Sequence, residues 1–145
     1  MTATANGTIG SYAVTATVGG ASASFLLTNQ TPSNLVVTSL LDDLGNASNC
    51  TPQAAPGKGA DAACSLRDVL LEASSLGSAN VTFDAKVFAS AQTIQLLNTS
   101  GSLAIPANTT ITSATSGSGA GLTNLVTVSG GRLSGVSGEQ GHNGH

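Results

Sequence analysis

The sequence predicts an all-β fold that carries one short α-helix, and three observations lead to this prediction. Beyond residue 79 the chain consists of short apolar runs separated by Asn, Gly and Pro, without a helical pattern between them. One segment, residues 65–77, has helical periodicity and signals for both helix ends. Hydrophobic residues make up 40% of the chain and charged residues 8%, unlike disordered chains, which combine low hydrophobicity with high net charge.

The first predicted element is a β-hairpin within residues 7–28. Apolar and polar residues alternate from Tyr12 to Val18 and again from Ala21 to Thr28, which is the periodicity of strands. Gly19-Gly20 lies between them and is a two-residue turn signal. An isolated hairpin is marginally stable in water, so we expect this one to pack on another part of the protein. The polar residues 30–34 then form the best domain boundary.

The predicted helix is short and amphipathic. Its apolar face is formed by residues at positions i, i+3, i+4 and i+7, namely Leu66, Val69, Leu70 and Ala73. Ser65 is a candidate N-cap, Asp68 can complete a capping box, and Gly77 ends the helix. Such a helix needs a tertiary partner. Covering the open end of a strand stack would provide one, because an exposed strand edge invites aggregation.

Short apolar runs predict the remaining strands. One run, residues 35–41, precedes the helix and ends in the turn residues 42–46. The later runs are residues 81–83, 93–97, 102–105, 110–112 and 125–128. Short runs that recur without helices between them are typical of either a β-sandwich or a β-solenoid.

Residues 64–73, which read CSLRDVLLEA, resemble the opening block of the CSLREA-type domain. Asp68 stands where the family name has Glu, a conservative departure. The runs that follow the helix also resemble the order of strands in this family, so that the resemblance spans about residues 35–128. It implies the N-terminal part of a right-handed parallel β-helix, opened by a capping helix, on secreted or cell-surface bacterial proteins. The implied inward residues are Val81, Phe83, Ile94, Leu96, Leu103, Ile105, Ile111, Leu125 and Val128.

Two domains are therefore expected. Residues 1–33 resemble the last two strands of bacterial immunoglobulin-like repeats, in which a tyrosine at the position of Tyr12 can form a tyrosine corner. The alternative is a hairpin that only caps the domain after it. Residues 34–145 are expected to form the parallel β-helix. Solenoid repeats need neighbours to bury their faces, so its C-terminal end should be an open edge or a truncation.

Composition excludes several classes of partner. The four cations, Lys58, Arg67, Lys86 and Arg132, are scattered singly, whereas nucleic-acid binding needs clustered Lys and Arg. No run approaches the ~20 apolar residues that span a membrane, so we expect no membrane insertion.

The N-terminus lacks a secretory signal, so we expect export to depend on other parts of a longer parent chain.

Cys50 and Cys64 are the only cysteines, and their spacing matches neither a CxxC redox motif nor a zinc motif. In an exported chain, two cysteines by default form a disulfide, which is our prediction for this pair. The alternative is two free thiols.

Candidate chemistry is sparse. We expect Arg67 to bind strand-end carbonyls, Asp68 or Asp42 rather than a substrate. Asp42, Asp43 and Asp84 lie at strand ends, where calcium ligands and turn-making aspartates both occur, and we favour turns. His142 and His145 lie in a Gly-rich terminal segment that we expect to be frayed. We therefore predict no catalytic, cofactor-binding or metal site.

The function expected from the resemblance is that of a structural and adhesive module at the bacterial cell surface or outside the cell. Its partner would be a surface polysaccharide or a host or bacterial surface protein. The alternative is a fragment of a carbohydrate-active β-helix enzyme, a pectate-lyase-like lyase or a glycoside hydrolase. Such enzymes place acids and bases along one face of many rungs, and this chain has few rungs and few charges.

Overall fold

Strands dominate the architecture. The computed structural model describes residues 7–130, so that Arg132, His142 and His145 lie outside the described residues. Within them the chain forms nine strands in small open sheets and a single α-helix, which agrees with the predicted all-β-leaning fold. The chain divides after Pro32 into two compact units, which are described separately.

The first unit is the predicted hairpin. Strand β1 (Gly10–Val18) pairs antiparallel with β2 (Ala21–Asn29), which confirms the prediction. Gly19 and Gly20 connect them with φ values of 57° and 84°. Two consecutive residues in this left-handed region form the type I′ turn that matches strand twist, and glycine adopts it without steric cost.

Tyr12 anchors the start of the hairpin. Its hydroxyl donates a hydrogen bond to the backbone carbonyl of Thr8, four residues upstream. The Asn29 side-chain amide donates to the same carbonyl at 2.9 Å. A hydrogen bond from a tyrosine hydroxyl to backbone a few residues upstream is the contact that defines a tyrosine corner.

The second unit contains two parallel sheets and a small hairpin. One sheet has the order β3 (Ser33–Val37), β4 (Ala79–Phe83), β6 (Thr109–Ile111), with all strands parallel. The other pairs β5 (Gln92–Gln95) with β9 (Val126–Ser129), also in parallel. Along the chain between β6 and β9, β7 (Thr115–Ser116) and β8 (Thr123–Asn124) form a two-residue antiparallel pair.

The parallel strands stack two successive segments of chain in register. We call residues 79–95, with β4 and β5, coil A, and residues 109–129, with β6 and β9, coil B. Strand β4 pairs with β6 and β5 pairs with β9, so coil B repeats the strand order of coil A. Like residues meet across the sheets: Leu35 aligns with Val81 and then Ile111, and Ile94 aligns with Val128.

The helix α1 (Leu66–Leu76) forms with the predicted ends. The Ser65 hydroxyl accepts the Asp68 N–H at 3.1 Å, and the Asp68 carboxylate accepts the Ser65 N–H at 3.1 Å, which completes the capping box. Gly77 ends the helix in the left-handed region, with φ of 79°, and its N–H donates to the Ala73 carbonyl at 3.0 Å.

The core lies between the helix and the sheet. The predicted apolar face of α1 is buried and shares one hydrophobic cluster with alternate residues of β3 and β4, namely Leu35, Val37, Ala79, Val81 and Phe83. Phe88, which follows β4, packs edge-to-face on Phe83 with ring centroids 5.0 Å apart. The helix therefore covers the inward faces of β3 and β4.

Burial follows the predicted inward pattern in part. Val81, Phe83, Ile94 and Leu125 are buried, and Leu96 and Leu103 are partly buried against the core. The prediction is wrong for Ile105, Ile111 and Val128, which are exposed.

The three exposed residues have two different causes. Ile111 and Val128 lie on β6 and β9, the last strands of their stacks within residues 7–130, so no described strand covers them. Ile105 belongs to the run 102–105, which forms no strand. The backbone carbonyls at the start of this run, those of Gly101 and Ser102, accept hydrogen bonds from Arg67 instead of entering a ladder.

Candidate functional site

A buried ion pair lies beside the helix N-terminus. The Arg67 guanidinium donates to both Asp42 carboxylate oxygens, from Nε at 2.7 Å and from Nη2 at 3.1 Å. The same group donates to the carbonyls of Gly101 and Ser102 at 2.9 and 3.0 Å. The side chains are 8% and 2% exposed for Arg67 and Asp42. The predicted Asp42 partner is confirmed, whereas the carbonyls come from a loop and not from strand ends.

Both members of the pair are held in their charged forms. Burial alone would raise the pKa of Asp42, but the hydrogen bonds from Arg67 and from the Leu97 N–H, at 2.8 Å, outweigh it and the pKa is lowered. The hydrogen bond to Asp42 raises the pKa of Arg67 by more than burial lowers it. The ion pair thus stays charged near neutral pH. It joins the helix to Asp42, which precedes the helix in the chain, and to Gly101 and Ser102, which follow coil A.

The lowered pKa of Asp42 predicts an acid-dependent loss of stability. Because the folded-state pKa lies below the unfolded value, the contribution is fully present above the unfolded pKa and is lost as pH falls through the folded pKa. Urea unfolding measured from about pH 6 to about pH 2 should show this decline. Asp42→Asn should flatten the profile, and an unchanged slope in this variant would contradict the assignment.

Asp68 is a second buried carboxylate and has partners beyond the helix. Its Oδ1 accepts the Asn46 N–H at 2.5 Å, and its Oδ2 accepts the Asn49 side-chain amide at 3.1 Å in addition to the Ser65 N–H. It therefore ties the turn at residues 46–49 to the start of α1. The capping pattern predicted only the local bond, since the other donors lie 19 and 22 residues away.

The predicted disulfide between Cys50 and Cys64 is present. The loop that it closes is ordered by Asp61, whose carboxylate accepts the Thr51 N–H at 2.9 Å, the Thr51 hydroxyl at 2.8 Å and the Gln53 side-chain amide at 3.0 Å. The disulfide therefore closes the two ends of the segment, and the hydrogen bonds of Asp61 join two parts of the segment inside it.

This disulfide loop, residues 50–64, covers the outer edge of β3. The Gln53 N–H donates to the Asn34 carbonyl at 2.7 Å, and the N–H groups of Thr38 and Ser39 donate to the Cys64 carbonyl at 2.9 and 3.1 Å. These bonds also end β3 at Val37, before the end of the predicted run 35–41. The sequence-based expectation gave edge protection to the helix, whereas the loop supplies the backbone bond at Asn34 on the outer edge of β3 and the bonds to the two residues after the strand.

Gly59 shows how closely the loop approaches the sheet. A Cβ added at this position would lie 2.1 Å from the Thr38 Cγ2 and 3.2 Å from the Val36 Cγ1. Val36 is consequently buried although it points away from the core cluster. The loop thus covers both the edge and the outer face of the first strand in the stack.

Removal of the disulfide should destabilise the second unit. For a loop of this length the chain-entropy model predicts a loss of about 3 kcal/mol in the free energy of unfolding. We expect the Cys50→Ala, Cys64→Ala double variant to unfold at lower urea concentration and to aggregate more readily, because the β3 edge becomes accessible. Equal urea midpoints and equal light scattering for the variant and the oxidised protein would contradict this expectation.

The other candidate carboxylates, those of Asp84 and Asp43, accept hydrogen bonds from backbone N–H groups. Asp84 is buried and accepts the N–H groups of Gly59, Lys86 and Val87 at 2.9, 2.9 and 3.1 Å. Burial would raise the pKa of Asp84, but these hydrogen bonds outweigh it and the pKa is lowered. Asp43 accepts the Gly45 N–H at 2.8 Å, as a turn residue. Residues 7–130 contain no cluster of three or more His, Cys, Asp or Glu able to hold a metal ion.

A surface cleft of about 400 Å³ lies between the two coils and the disulfide loop. Its polar lining consists of hydroxyl side chains, those of Thr82, Thr112, Ser113, Thr115 and Ser116. Phe83, Phe88 and Leu125 supply apolar surface, and none of the lining side chains is an acid or a base. The cleft can donate and accept hydrogen bonds and pack against a ligand, but it holds no group suited to proton transfer near neutral pH.

Helices of the described residues are too short or too polar to cross a membrane. Comparisons of the chain with family models, with curated proteins and with solved structures each returned no match.

Proposed function

We propose that residues 33–130 are the capped start of a right-handed parallel β-helix, and that the chain is a structural and adhesive module of a secreted or cell-surface bacterial protein. The observation that carries this proposal is the in-register parallel pairing of coil B on coil A, in both sheets and in the same strand order. Repetition of strand order at a fixed register is the geometry of a solenoid rung.

The two ends of the stack differ, which gives the proposed rod a direction. The edge of β3 is covered by the disulfide loop, whereas β6 and β9 have no further strand beside them within residues 7–130. Ile111 and Val128 are aligned with buried residues of coil A but are themselves exposed. A third coil stacked on coil B would bury both, so the rod extends from this end in the proposed protein.

Side-chain alignment on the outer face also supports a solenoid. Asn34 aligns with Asn80, and Asn80 aligns with Thr110. Stacked asparagines and threonines on neighbouring parallel strands are favourable in in-register stacks, where each side chain meets a like polar neighbour.

The first unit fits the end of an immunoglobulin-like repeat. The supporting contact is the bond from the Tyr12 hydroxyl to the Thr8 carbonyl, which has the form of a tyrosine corner. In this proposal the hairpin is the end of a domain that precedes the rod in the chain.

Adhesion is favoured over catalysis by the chemistry of the surface. The hydroxyl-lined cleft offers hydrogen-bonding groups suited to a polysaccharide or to the surface of a protein and no acid–base pair. The buried carboxylates Asp42, Asp68 and Asp84 are occupied by internal hydrogen bonds. The Cys50–Cys64 disulfide supports an oxidising compartment, as found outside the cell.

Binding and turnover measurements on the same samples test this function. We expect the chain to bind a glycan array or immobilised acidic polysaccharide, with or without calcium, and to release no new unsaturated or reducing ends. Thr115→Val and Ser116→Ala should weaken binding, while Thr93→Val, at an exposed position of β5 outside the cleft, should not. Product formation that disappears in Asp42→Asn or Asp84→Asn variants would contradict the proposal and favour the lyase or hydrolase alternative.

A further inference from the structure

Asparagines of this chain occur in an unusual sequence context. Seven of the ten are followed two positions later by Ser or Thr, although Ser and Thr together make up only about a quarter of the chain. None of the seven has proline between the two residues. They are Asn6, Asn29, Asn46, Asn49, Asn80, Asn98 and Asn108. Asn-x-Ser/Thr is the acceptor pattern for N-linked glycosylation of exported proteins.

Several of these asparagines have side-chain amides that donate hydrogen bonds within the protein or are partly buried. The Asn49 amide donates to the buried Asp68 carboxylate at 3.1 Å, and Asn49 precedes the disulfide-bonded Cys50. The Asn29 amide donates to the Thr8 carbonyl at 2.9 Å. Asn80 is half-buried in β4, the central strand of its sheet. Asn6 lies outside the described residues.

Asn46 is exposed but engaged in its own turn. Its side-chain oxygen accepts the Ser48 N–H at 3.0 Å, and its backbone N–H donates to Asp68. The amide is therefore held against the backbone of the residue whose hydroxyl completes the acceptor pattern.

Asn98 and Asn108 are presented differently. Asn98 begins the exposed 3-10 turn Asn98–Ser100, and within residues 7–130 its side chain has no hydrogen-bond partner. The turn is anchored on both sides, by the Leu97 N–H on Asp42 and by the Gly101 carbonyl on Arg67. The acceptor is thus held away from the core without being tied down itself.

Asn108 lies in the turn that leads into β6. It is exposed and adopts the left-handed region, with φ of 56°. Its amide makes one long contact, 3.4 Å to the Gly77 carbonyl, and the hydroxyl-bearing Thr110 of its pattern is exposed. Both Asn98 and Asn108 belong to the segment that connects coil A to coil B, and neither lines the hydroxyl-rich cleft.

We infer that Asn98 and Asn108 are N-glycosylation sites, and that the folded chain excludes Asn49 and Asn80 from modification. The donor class is a nucleoside-diphosphate sugar. The side-chain nitrogen, Nδ2, forms a bond to C1 of the sugar as the C1–oxygen bond to the diphosphate breaks. The nucleoside diphosphate leaves, and Nδ2 gives up one proton. Glycans at these positions would cover the connecting segment and leave the cleft open.

Peptide mapping by mass spectrometry tests the inference. The oxidised, folded full chain is incubated with UDP-glucose and an N-glycosyltransferase that recognises Asn-x-Ser/Thr, in parallel with the reduced and denatured chain. Among these four asparagines, we expect hexose on Asn98 and Asn108 in the folded sample, and additional hexose on Asn49 and Asn80 in the denatured sample. Equal modification of Asn49 or Asn80 in both samples would overturn the inference, as would unmodified Asn98 and Asn108 in the folded sample.

Variants separate recognition from folding. Ser100→Ala should abolish modification of Asn98 and leave that of Asn108 unchanged, and Thr110→Ala should do the reverse. Ser100→Thr keeps the hydroxyl and should restore modification, and Thr99→Ala, at the middle position, should have no effect. Persistent hexose on Asn98 in Ser100→Ala would contradict the acceptor assignment. These readouts are independent of polysaccharide binding, so failure of the adhesive function would leave them unaffected.

Discussion

Arg67→Ala is expected to cost about 3–5 kcal/mol in the free energy of unfolding, because it leaves the Asp42 carboxylate buried without its counter-charge. The carbonyls of Gly101 and Ser102 lose their donors at the same time. The side chains of the pair are nearly inaccessible to water, so solvent cannot replace the lost bonds without structural change.

Urea unfolding of matched variants measures this effect. Lys58→Ala removes an exposed cation from the disulfide loop and should change stability by less than about 0.5 kcal/mol. Arg67→Lys keeps the charge but cannot form the fork to Asp42 and both carbonyls, so it should lie between the wild type and Arg67→Ala. A loss in Arg67→Ala no larger than that in Lys58→Ala would show that the pair does not hold the loop in place.

Leu70→Ala is expected to destabilise the protein by about 2–5 kcal/mol, since it leaves a cavity between α1 and the inward faces of β3 and β4. Leu70 is buried, and its chain neighbour Leu71, about 100° further round the helix, is 45% exposed. Leu71→Ala is therefore the matched control, because it makes the same chemical change with a much smaller loss of buried surface. Equal urea midpoints for the two variants would contradict the packing of the helix.

Local signals predicted the elements whose determinants are close in sequence. The capping box of Ser65 and Asp68, the end of α1 at Gly77 and the Gly19-Gly20 turn each depend on residues within a few positions of each other. Their hydrogen bonds join backbone groups and side chains that are close in sequence, which explains why a single sequence was sufficient to place them.

The features that sequence patterns did not predict depend on hydrogen bonds between residues far apart in the chain. Pattern reasoning predicted a strand at residues 102–105, but the carbonyls of Gly101 and Ser102 bind Arg67, 34 and 35 residues away. Protection of the β3 edge by the disulfide loop depends on Gln53 and Cys64 meeting β3 and the residues after it. No periodicity encodes these pairings, since each joins segments that only the tertiary fold brings together.

Burial of the last coil was overestimated for a related reason. Alternation identifies which side chains of a strand share a face, and Ile111 and Val128 do align with the buried Val81 and Ile94. Alternation does not indicate whether another strand covers that face. Inward orientation and burial are therefore separate properties at the end of a stack.

The stacking of coil B on coil A is tested most directly by cross-linking across β5 and β9. Thr93 and Thr127 are exposed register partners, and neighbouring strands are ~4.8 Å apart, within disulfide reach. Thr93 and Ser129 are offset by one pleat, about 7–8 Å or more, and should be too far apart. Mass spectrometry of a non-reducing digest should show a bridge in Thr93→Cys/Thr127→Cys, with Cys50–Cys64 intact, and none in Thr93→Cys/Ser129→Cys. A bridge in the offset pair only, or in neither variant, would contradict parallel in-register stacking.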